Sequence, residues 1–170
     1  MTAKLFALDH NFPPTILVAL TEYIPEALLV PIGEIDARMP LLEDWQVLVA
    51  LMHHSRKWTG LITNDGDFAS EPREIAALIQ TKLAVVIAEA AGHDMIKATG
   101  LLLAHLPGIC RRIVPGTAQL WQLRSADRSH QKPRDVFNRV AHHRKREPAA
   151  LLREHGLSSE ELETNPLKAP

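Results

Sequence analysis

Short apolar runs alternate along this chain with segments of helical periodicity, and this alternation constrains the fold more than any other feature. The apolar runs are KLFALD (4–9), ALLVPIG (27–33), LITNDGDF (61–68), LAVVIAE (83–89) and AQLWQL (118–123). Each is short enough for a buried strand, and a helical pattern follows each of the first four. We therefore predict an α/β fold in three layers, with a central, mainly parallel sheet, right-handed crossovers and helices on both faces.

Local signals place several element ends. Pro13 and Pro14 suit the first turn of a helix, and Pro31 is acceptable only at the end of a strand or on an edge strand. The segment 43–57 has acidic residues first and basic residues last, as the helix dipole favours. We expect the helix at about 94–106 to end before Pro107.

The composition changes after residue 124, and we predict a domain of residues 1–124 followed by a basic, helical extension of residues 125–170. In this interpretation AQLWQL is the last strand. One short helix is expected around Val136–Arg146, and another before Gly156. A capping box is expected at Ser158–Glu161.

The cysteine content and the charge distribution limit which functions the chain can have. The single cysteine, Cys110, excludes an internal disulfide, and no apolar run approaches the roughly 20 residues that cross a bilayer, so we expect a cytoplasmic protein without a membrane span. Residues 1–70 carry 4 Lys/Arg against 9 Asp/Glu, whereas residues 110–146 carry 10 against 2. This asymmetry suits a protein that binds cations in one place and phosphates in another, although ordinary solvated faces would explain it equally well.

Acidic side chains follow the predicted strands where a functional site is expected. Asp9 ends the first strand, Asp65 and Asp67 end the third, and Asp44 opens the helix before it. Ligands bind outside the carboxyl ends of parallel strands, and clustered carboxylates repel unless a cation offsets their charge. Oxygen donors favour Mg²⁺ or Mn²⁺ over zinc. Alone, Asp44 and Asp9 are equally explained as helix caps, and Asp65-Gly66 as a turn.

Three motifs resemble the PIN-like nuclease superfamily, in particular its VapC-type toxin branch. They are Asp9-His10-Asn11-Phe12-Pro13, the helix start Glu43-Asp44-Trp45, and Thr63-Asn64-Asp65-Gly66-Asp67-Phe68 followed by Glu71-Pro72-Arg73-Glu74. The resemblance implies a metal-dependent endoribonuclease, the toxin of a toxin–antitoxin pair, with Mg²⁺ or Mn²⁺ held by Asp9, Asp44, Asp65 and Asp67. It also implies supporting roles for Asn11, Thr63, Asn64, Asp36 and Glu43. His10 stands where relatives often have an acid.

The basic segment is a candidate RNA-binding surface. Its cations would follow a phosphate backbone, and Trp121 is either a stacking platform or, by its burial tendency, a core residue. Val136, Phe137 and Val140 are candidates for a homodimer contact. The open alternative is a noncatalytic adaptor of the same fold that binds RNA or a protein. The predicted RNA-binding residues are Arg111, Arg112, Arg124, Arg128, Lys132, Arg144 and Lys145.

Overall fold

The structure, a computed structural model, describes residues 3–12, 14–89, 94–124 and 127–168, without the side chains of residues 14 and 127–129. The strands are β1 (Lys4–Leu8), β2 (Ala27–Pro31), β3 (Gly60–Thr63), β4 (Ala84–Ala88), β5 (Gln119–Arg124) and β6 (Asp127–Gln131). The helices are α1 (Pro14–Tyr23), α2 (Ile32–Ile35), α3 (Asp44–His53), α4 (Pro72–Thr81), α5 (Met95–Cys110), α6 (Pro133–His143), α7 (Pro148–His155) and α8 (Ser159–Glu163).

The strands form one sheet in the order β2-β1-β3-β4-β5-β6. The pairs from β2 to β5 are parallel, and β6 is antiparallel to β5. The prediction of an α/β fold around a mainly parallel sheet is therefore confirmed. Pro31 is the last residue of an edge strand, where its missing N–H removes no inner ladder bond, as predicted.

Successive residues of a strand point to opposite faces of the sheet, and helices bury the apolar side chains on both faces. Ala7, Leu61 and Val85 lie in a core with α3, α4, α6 and α7. Phe6 and Ile62, their neighbours in sequence, lie in a second core with α1 and α5. Trp121 belongs to this second core and is 2% exposed, so the structure favours its core interpretation over a stacking platform.

The crossover connections differ in handedness. The connections β3-α4-β4 and β4-α5-β5 both move one strand in the same direction, but α4 packs in the first core and α5 in the second. Connections that move the same way on opposite faces have opposite hands, so the expectation of right-handed crossovers throughout is wrong. The face that α4 occupies also holds α3, α6 and α7, whereas α5 completes the core beside α1.

The segment after residue 124 continues the sheet. Strand β6 pairs with β5 from Arg124↔Asp127 to Leu120↔Gln131, so the prediction that AQLWQL is the last strand is wrong, and the strands on either side of the predicted division at residue 124 pair with each other. DRSHQ lacks the apolar alternation that marks a strand, so the sequence pattern did not predict β6, whose position is set by its pairing with β5. Val136 and Phe137, predicted as dimer contacts, are buried in the chain's own first core.

Other element ends agree with the sequence in part. Helix α5 continues through Pro107 to Cys110, contrary to the prediction, because Leu106 and Ile109 are buried on either side of the proline and hold the last turn in place. Helix α1 begins at Pro14, while Pro13 lies outside the described residues. The predicted capping box at the start of α8 is confirmed. No helix in the described part of the chain combines the length and apolarity needed to cross a membrane.

Candidate functional site

The strand order reverses at β1. The connection that leaves β1 leads to β2 on one side, and β3 lies on the other side. Such a switch point is where open α/β sheets bind ligands, at the carboxyl ends of the strands. Asp9 follows β1 here, and its backbone N–H donates to the carbonyl of Ile62 in β3 at 2.9 Å. The topology thus places the ends of β1 and β3 side by side.

The Asp9 side chain is 6% exposed, and its carboxylate is held by several donors. Thr63 Oγ1 donates to Asp9 Oδ2 at 3.0 Å, and Asn11 Nδ2 donates to the same oxygen at 3.1 Å. The backbone N–H of His10 donates to Oδ1 at 2.6 Å, and His10 Nδ1 lies 2.7 Å from that oxygen. Burial of a carboxylate is tolerated when its oxygens are paired in this way.

The Thr63 hydroxyl connects the two strand ends. While donating to Asp9, it accepts the backbone N–H of Asp65 at 3.0 Å. Asp65 Oδ1 in turn accepts the backbone N–H of Asp67 at 2.8 Å and caps the 3-10 turn Gly66–Ala69. The Asp67 side chain is exposed. The structure therefore brings Asp9 and Asp65 together through Thr63, whereas Asp67 joins them through its backbone.

Asp44 meets these residues from the first turn of α3. Burial raises the pKa of Asp44 to about 6, repulsion by Asp9 and then by Asp65 adds to the rise, and His10 opposes it. Glu43 occupies the N-cap position, its backbone N–H donating to Gln46 Oε1 at 3.0 Å. The three acids predicted from distant parts of the sequence thus interact.

Glu74 is an acid that sequence analysis did not place in the site. Burial raises the pKa of Glu74 to about 8, with further repulsion from Asp44, Glu43 and Glu71 and a smaller opposing hydrogen bond from the Trp45 backbone. Its Oε2 is buried without a partner among the described residues. The sequence feature that could have identified Glu74 is its position in the first turn of α4, the helix that follows the acidic turn. The first turns of adjacent helices on one face of the sheet lie close together.

Asn64 is a second unsatisfied group at this rim. Its side chain is 4% exposed, and neither its oxygen nor its nitrogen has a partner within the described part of the chain. A buried polar group left unpaired costs about 1–3 kcal/mol, so a ligand that offered it a partner would be favoured.

The donor set at this rim fits a hard divalent cation by its chemistry. Asp9, Asp44 and Asp65 supply carboxylate oxygens, and Asn64 adds an amide oxygen, which are the donors that Mg²⁺ and Mn²⁺ prefer. Across the described ranges, no group of three or more His, Cys, Asp and Glu side chains is gathered closely enough to hold a metal ion. The donors are therefore present without being arranged as a coordination cage.

A polar cavity of about 520 Å³ adjoins the acidic turn. Gly66 and Ser70 line one side, and the other side includes Arg124 and Arg139. Arg124 Nε lies 2.5 Å from Glu89 Oε2, and Arg139 hydrogen-bonds Gln131. Guanidinium groups at this position can contact the phosphates of a polyanion.

The predicted RNA-binding residues divide between the two rims of the sheet. Arg124 lies at the acidic rim. Arg144, which precedes Lys145, also reaches it, since its Nη2 lies 3.3 Å from the Ser70 carbonyl. Arg111 instead binds Glu26 at 3.2 Å, next to the start of β1, with Arg112 beside it.

Two further basic residues and one acid complete the comparison with the predicted site. Lys132 precedes α6 and follows the end of β6 that pairs with Leu120, in the first half of β5. The side chain of Arg128 lies outside the described residues. Asp36 binds Arg38, whose guanidinium hydrogen bonds hold the Asp36 pKa at about 2, so its carboxylate is engaged away from the acidic cluster.

The fold and the site define an α/β protein with an acidic cluster at the switch point of a mostly parallel sheet. Comparison with protein-family models, with curated proteins and with solved structures finds no match in any of the three.

Proposed function

We propose that this protein is a PIN-like, Mg²⁺- or Mn²⁺-dependent endoribonuclease, acting as the toxin of a toxin–antitoxin pair. The observation that carries the nuclease proposal is the interaction of Asp9, Asp44 and Asp65 at the switch point, with an arginine-lined cavity beside them. The central sheet with helices on both faces, and the order of the sequence motifs, are compatible with a PIN-like fold. The toxin assignment depends on the sequence resemblance alone, and an adjacent gene for a small, helical, DNA-binding protein would support it.

The proposed reaction is hydrolysis of an RNA phosphodiester. A bound Mg²⁺ or Mn²⁺ supplies Lewis-acid polarisation of the phosphate and a water of lowered pKa. Asp9, Asp44 and Asp65 would hold the cation, and the Thr63 hydroxyl, which contacts both strand ends, fixes the separation between Asp9 and Asp65. Asn64 offers an unpaired amide to the same rim.

The chain's cations would bind the substrate on either side of the cleaved bond. Arg124 and Arg139 line the adjoining cavity, and Arg144 approaches the same turn through the Ser70 carbonyl. Such phosphate contacts are independent of sequence and weaken with salt. The geometry therefore favours a single strand of RNA that passes along the carboxyl rim, from the cavity towards the end of α6.

Cleavage of a labelled single-stranded RNA in Mn²⁺, compared with EDTA, tests this proposal. Asp65→Asn keeps the side-chain shape and removes the charge of a cation ligand, so we expect activity to fall by at least about 100-fold, because outer partners of a metal site alone cost about 10–100-fold. Asp135→Asn, an exposed acid in the first turn of α6, is the matched control and should leave activity unchanged. Equal activity of Asp65→Asn and the unsubstituted protein would refute the assignment.

A noncatalytic adaptor is the second candidate. It is favoured by the hydrogen bonding of Asp9, whose two oxygens are already satisfied by Thr63, Asn11 and His10, as in a structural carboxylate. RNA binding that persists in EDTA, together with no cleavage in Mn²⁺, would identify the adaptor.

A further inference from the structure

A second large cavity, of about 500 Å³, opens at the amino ends of the strands, on the rim opposite the acidic cluster. Its walls include Lys4 at the start of β1, Thr59 before β3, Ala84 at the start of β4 and Thr117 before β5. The segment between α3 and β3 closes one side. A concave site of this volume matches the cavities in which proteins enclose one small ligand.

The lining of this cavity is cationic. Lys4, Arg56, Lys57 and Lys82 contribute to it, and no Asp or Glu is among the described residues that line it. Residues 1–70 are acidic and hold only 4 Lys/Arg, yet three of those four lie here.

These four cations also differ from the basic residues at the acidic rim. Arg124 and Arg144 are paired with glutamates, whereas none of Lys4, Arg56, Lys57 and Lys82 forms an ion pair within the described part of the chain. Arg56 contacts the Trp58 ring, and the charge of the cluster is balanced by no acid among the described residues that line the cavity. A cluster of one sign in a cleft with low-dielectric walls attracts and concentrates ions of the opposite sign.

An aromatic and apolar wall accompanies the cations. Trp58 lines the cavity and is 7% exposed, and its Nε1–H lacks a partner among the described atoms. The Arg56 guanidinium lies over its ring, with Cζ 5.8 Å from the ring centroid. The centroids of the His54 and Trp58 rings lie 5.6 Å apart in an edge-on arrangement. His54 Nδ1 accepts the Arg56 backbone N–H, which places the ring proton on Nε2. Met52 and Val114 are exposed at 37% and 55% and offer apolar surface.

We propose that this cavity binds a nucleoside phosphate, with the phosphate among the four cations and the base against the exposed apolar surface of Met52 and Val114, next to Trp58. Inorganic anions alone would leave the apolar surface of Met52 and Val114 uncovered, and an acidic peptide would extend beyond a cavity of this size. The ligand is either a free nucleotide or the terminal nucleotide of an RNA. The site lies across the sheet from Asp9 and does not depend on the proposed nuclease activity.

Titration of the purified, ¹⁵N-labelled protein with ATP in EDTA tests the proposal. The chain has three tryptophans, so the indole cross-peaks are few, and Trp58→Phe assigns the relevant one. We expect ATP to shift the Trp58 peak saturably, with inorganic phosphate and adenosine each binding at least tenfold more weakly. A single-stranded oligonucleotide with a 5′ phosphate that binds as tightly as ATP would identify an RNA end as the source, and weaker binding would identify a free nucleotide.

Charge variants complete the test. Lys57→Gln/Lys82→Gln removes two exposed cations of the cavity, and loss of two charge-assisted contacts should weaken ATP binding about tenfold or more. Lys97→Gln, an exposed lysine on α5 that does not line the cavity, should bind ATP unchanged, and so should Asp65→Asn. An unmoved Trp58 peak at millimolar ATP, phosphate binding as tight as ATP binding, or unchanged affinity of the double variant would each overturn the proposal.

Discussion

Glu74→Gln should make the metal-free protein more stable at alkaline pH. Burial and neighbouring carboxylates raise the Glu74 pKa from 4.5 to about 8, so the folded state binds this proton more tightly than the unfolded chain does. Ionisation of Glu74 therefore destabilises the fold, and this cost begins near pH 4.5 and is complete above about pH 8. At about 1.36 kcal/mol for each pKa unit, the full cost is roughly 5 kcal/mol. Glutamine keeps the shape and cannot ionise.

Urea unfolding in EDTA at pH 5 and pH 8.5 measures this effect. The gain from Glu74→Gln should be about 1 kcal/mol at pH 5 and about 4–5 kcal/mol at pH 8.5. Glu160→Gln, an exposed acid in the first turn of α8, provides the control and should change little with pH. A gain that is no larger at pH 8.5 than at pH 5 would show that Glu74 ionises without penalty, and the cluster would then be less tightly packed than the structure indicates.

Three further predictions follow from single contacts. Thr63→Val removes the hydroxyl shared by the two strand ends and should lower the free energy of unfolding by about 1–3 kcal/mol. Thr63→Ser keeps a hydroxyl and should retain most of that stability. Equal losses in the two variants would refute the hydrogen-bond argument. Gly60→Ala places Cβ 1.7 Å from a β4 carbonyl oxygen and should lower the free energy of unfolding by about 3 kcal/mol or more. Gly100→Ala, whose Cβ has nothing within 4 Å, should raise it by about 0.5–1 kcal/mol. Thermal unfolding compares the two variants, and a Gly60→Ala protein as stable as the unsubstituted one would contradict the packing of β3 against β4. If RNA passes along the acidic rim, Arg124→Gln and Arg144→Gln should each reduce the salt dependence of RNA binding by about one unit of log-log slope, and unchanged slopes would place the RNA elsewhere.

The order of strands and helices was predictable because each parallel strand is a short apolar run, and the inner strands β3 and β4 are buried on both faces. Sequence-based prediction was wrong where contacts between residues that are distant in the sequence determine the local structure. Strand β6 is polar and exists through its pairing with β5, and α5 passes Pro107 because buried residues flank it. The hand of a crossover depends on which face still has room, and no local pattern carries that information.

The candidate site was predictable to the extent that strand ends define it. Asp9 and Asp65 follow directly from the rule that carboxyl ends of parallel strands share a rim, and Asp44 lies at the start of the adjoining helix. Glu74 was missed because its approach to Asp44 depends on how α3 and α4 pack. Arg111 and Arg124 belong to one charge block in the sequence, yet α5 ends at one rim and β5 at the other.

If the nuclease proposal is correct, the state of the acidic rim before substrate binds has a consequence for recognition. Burial and then repulsion by Asp9 and Asp65 raise the pKa of Asp44, and Glu89 and Glu71 form ion pairs with Arg124 and Arg144. A phosphate that approached this rim alone would meet ionised carboxylates, and it would have to compete with those glutamates for the arginines. A divalent cation held by Asp9, Asp44 and Asp65 removes the first obstacle, because it offsets the charge that repels phosphate. RNA affinity at this rim should therefore rise with Mg²⁺ in the unsubstituted protein and stay insensitive to Mg²⁺ in Asp65→Asn. Binding that is equally tight with and without the cation in both proteins would mean that the arginines alone capture the RNA, as the adaptor hypothesis requires.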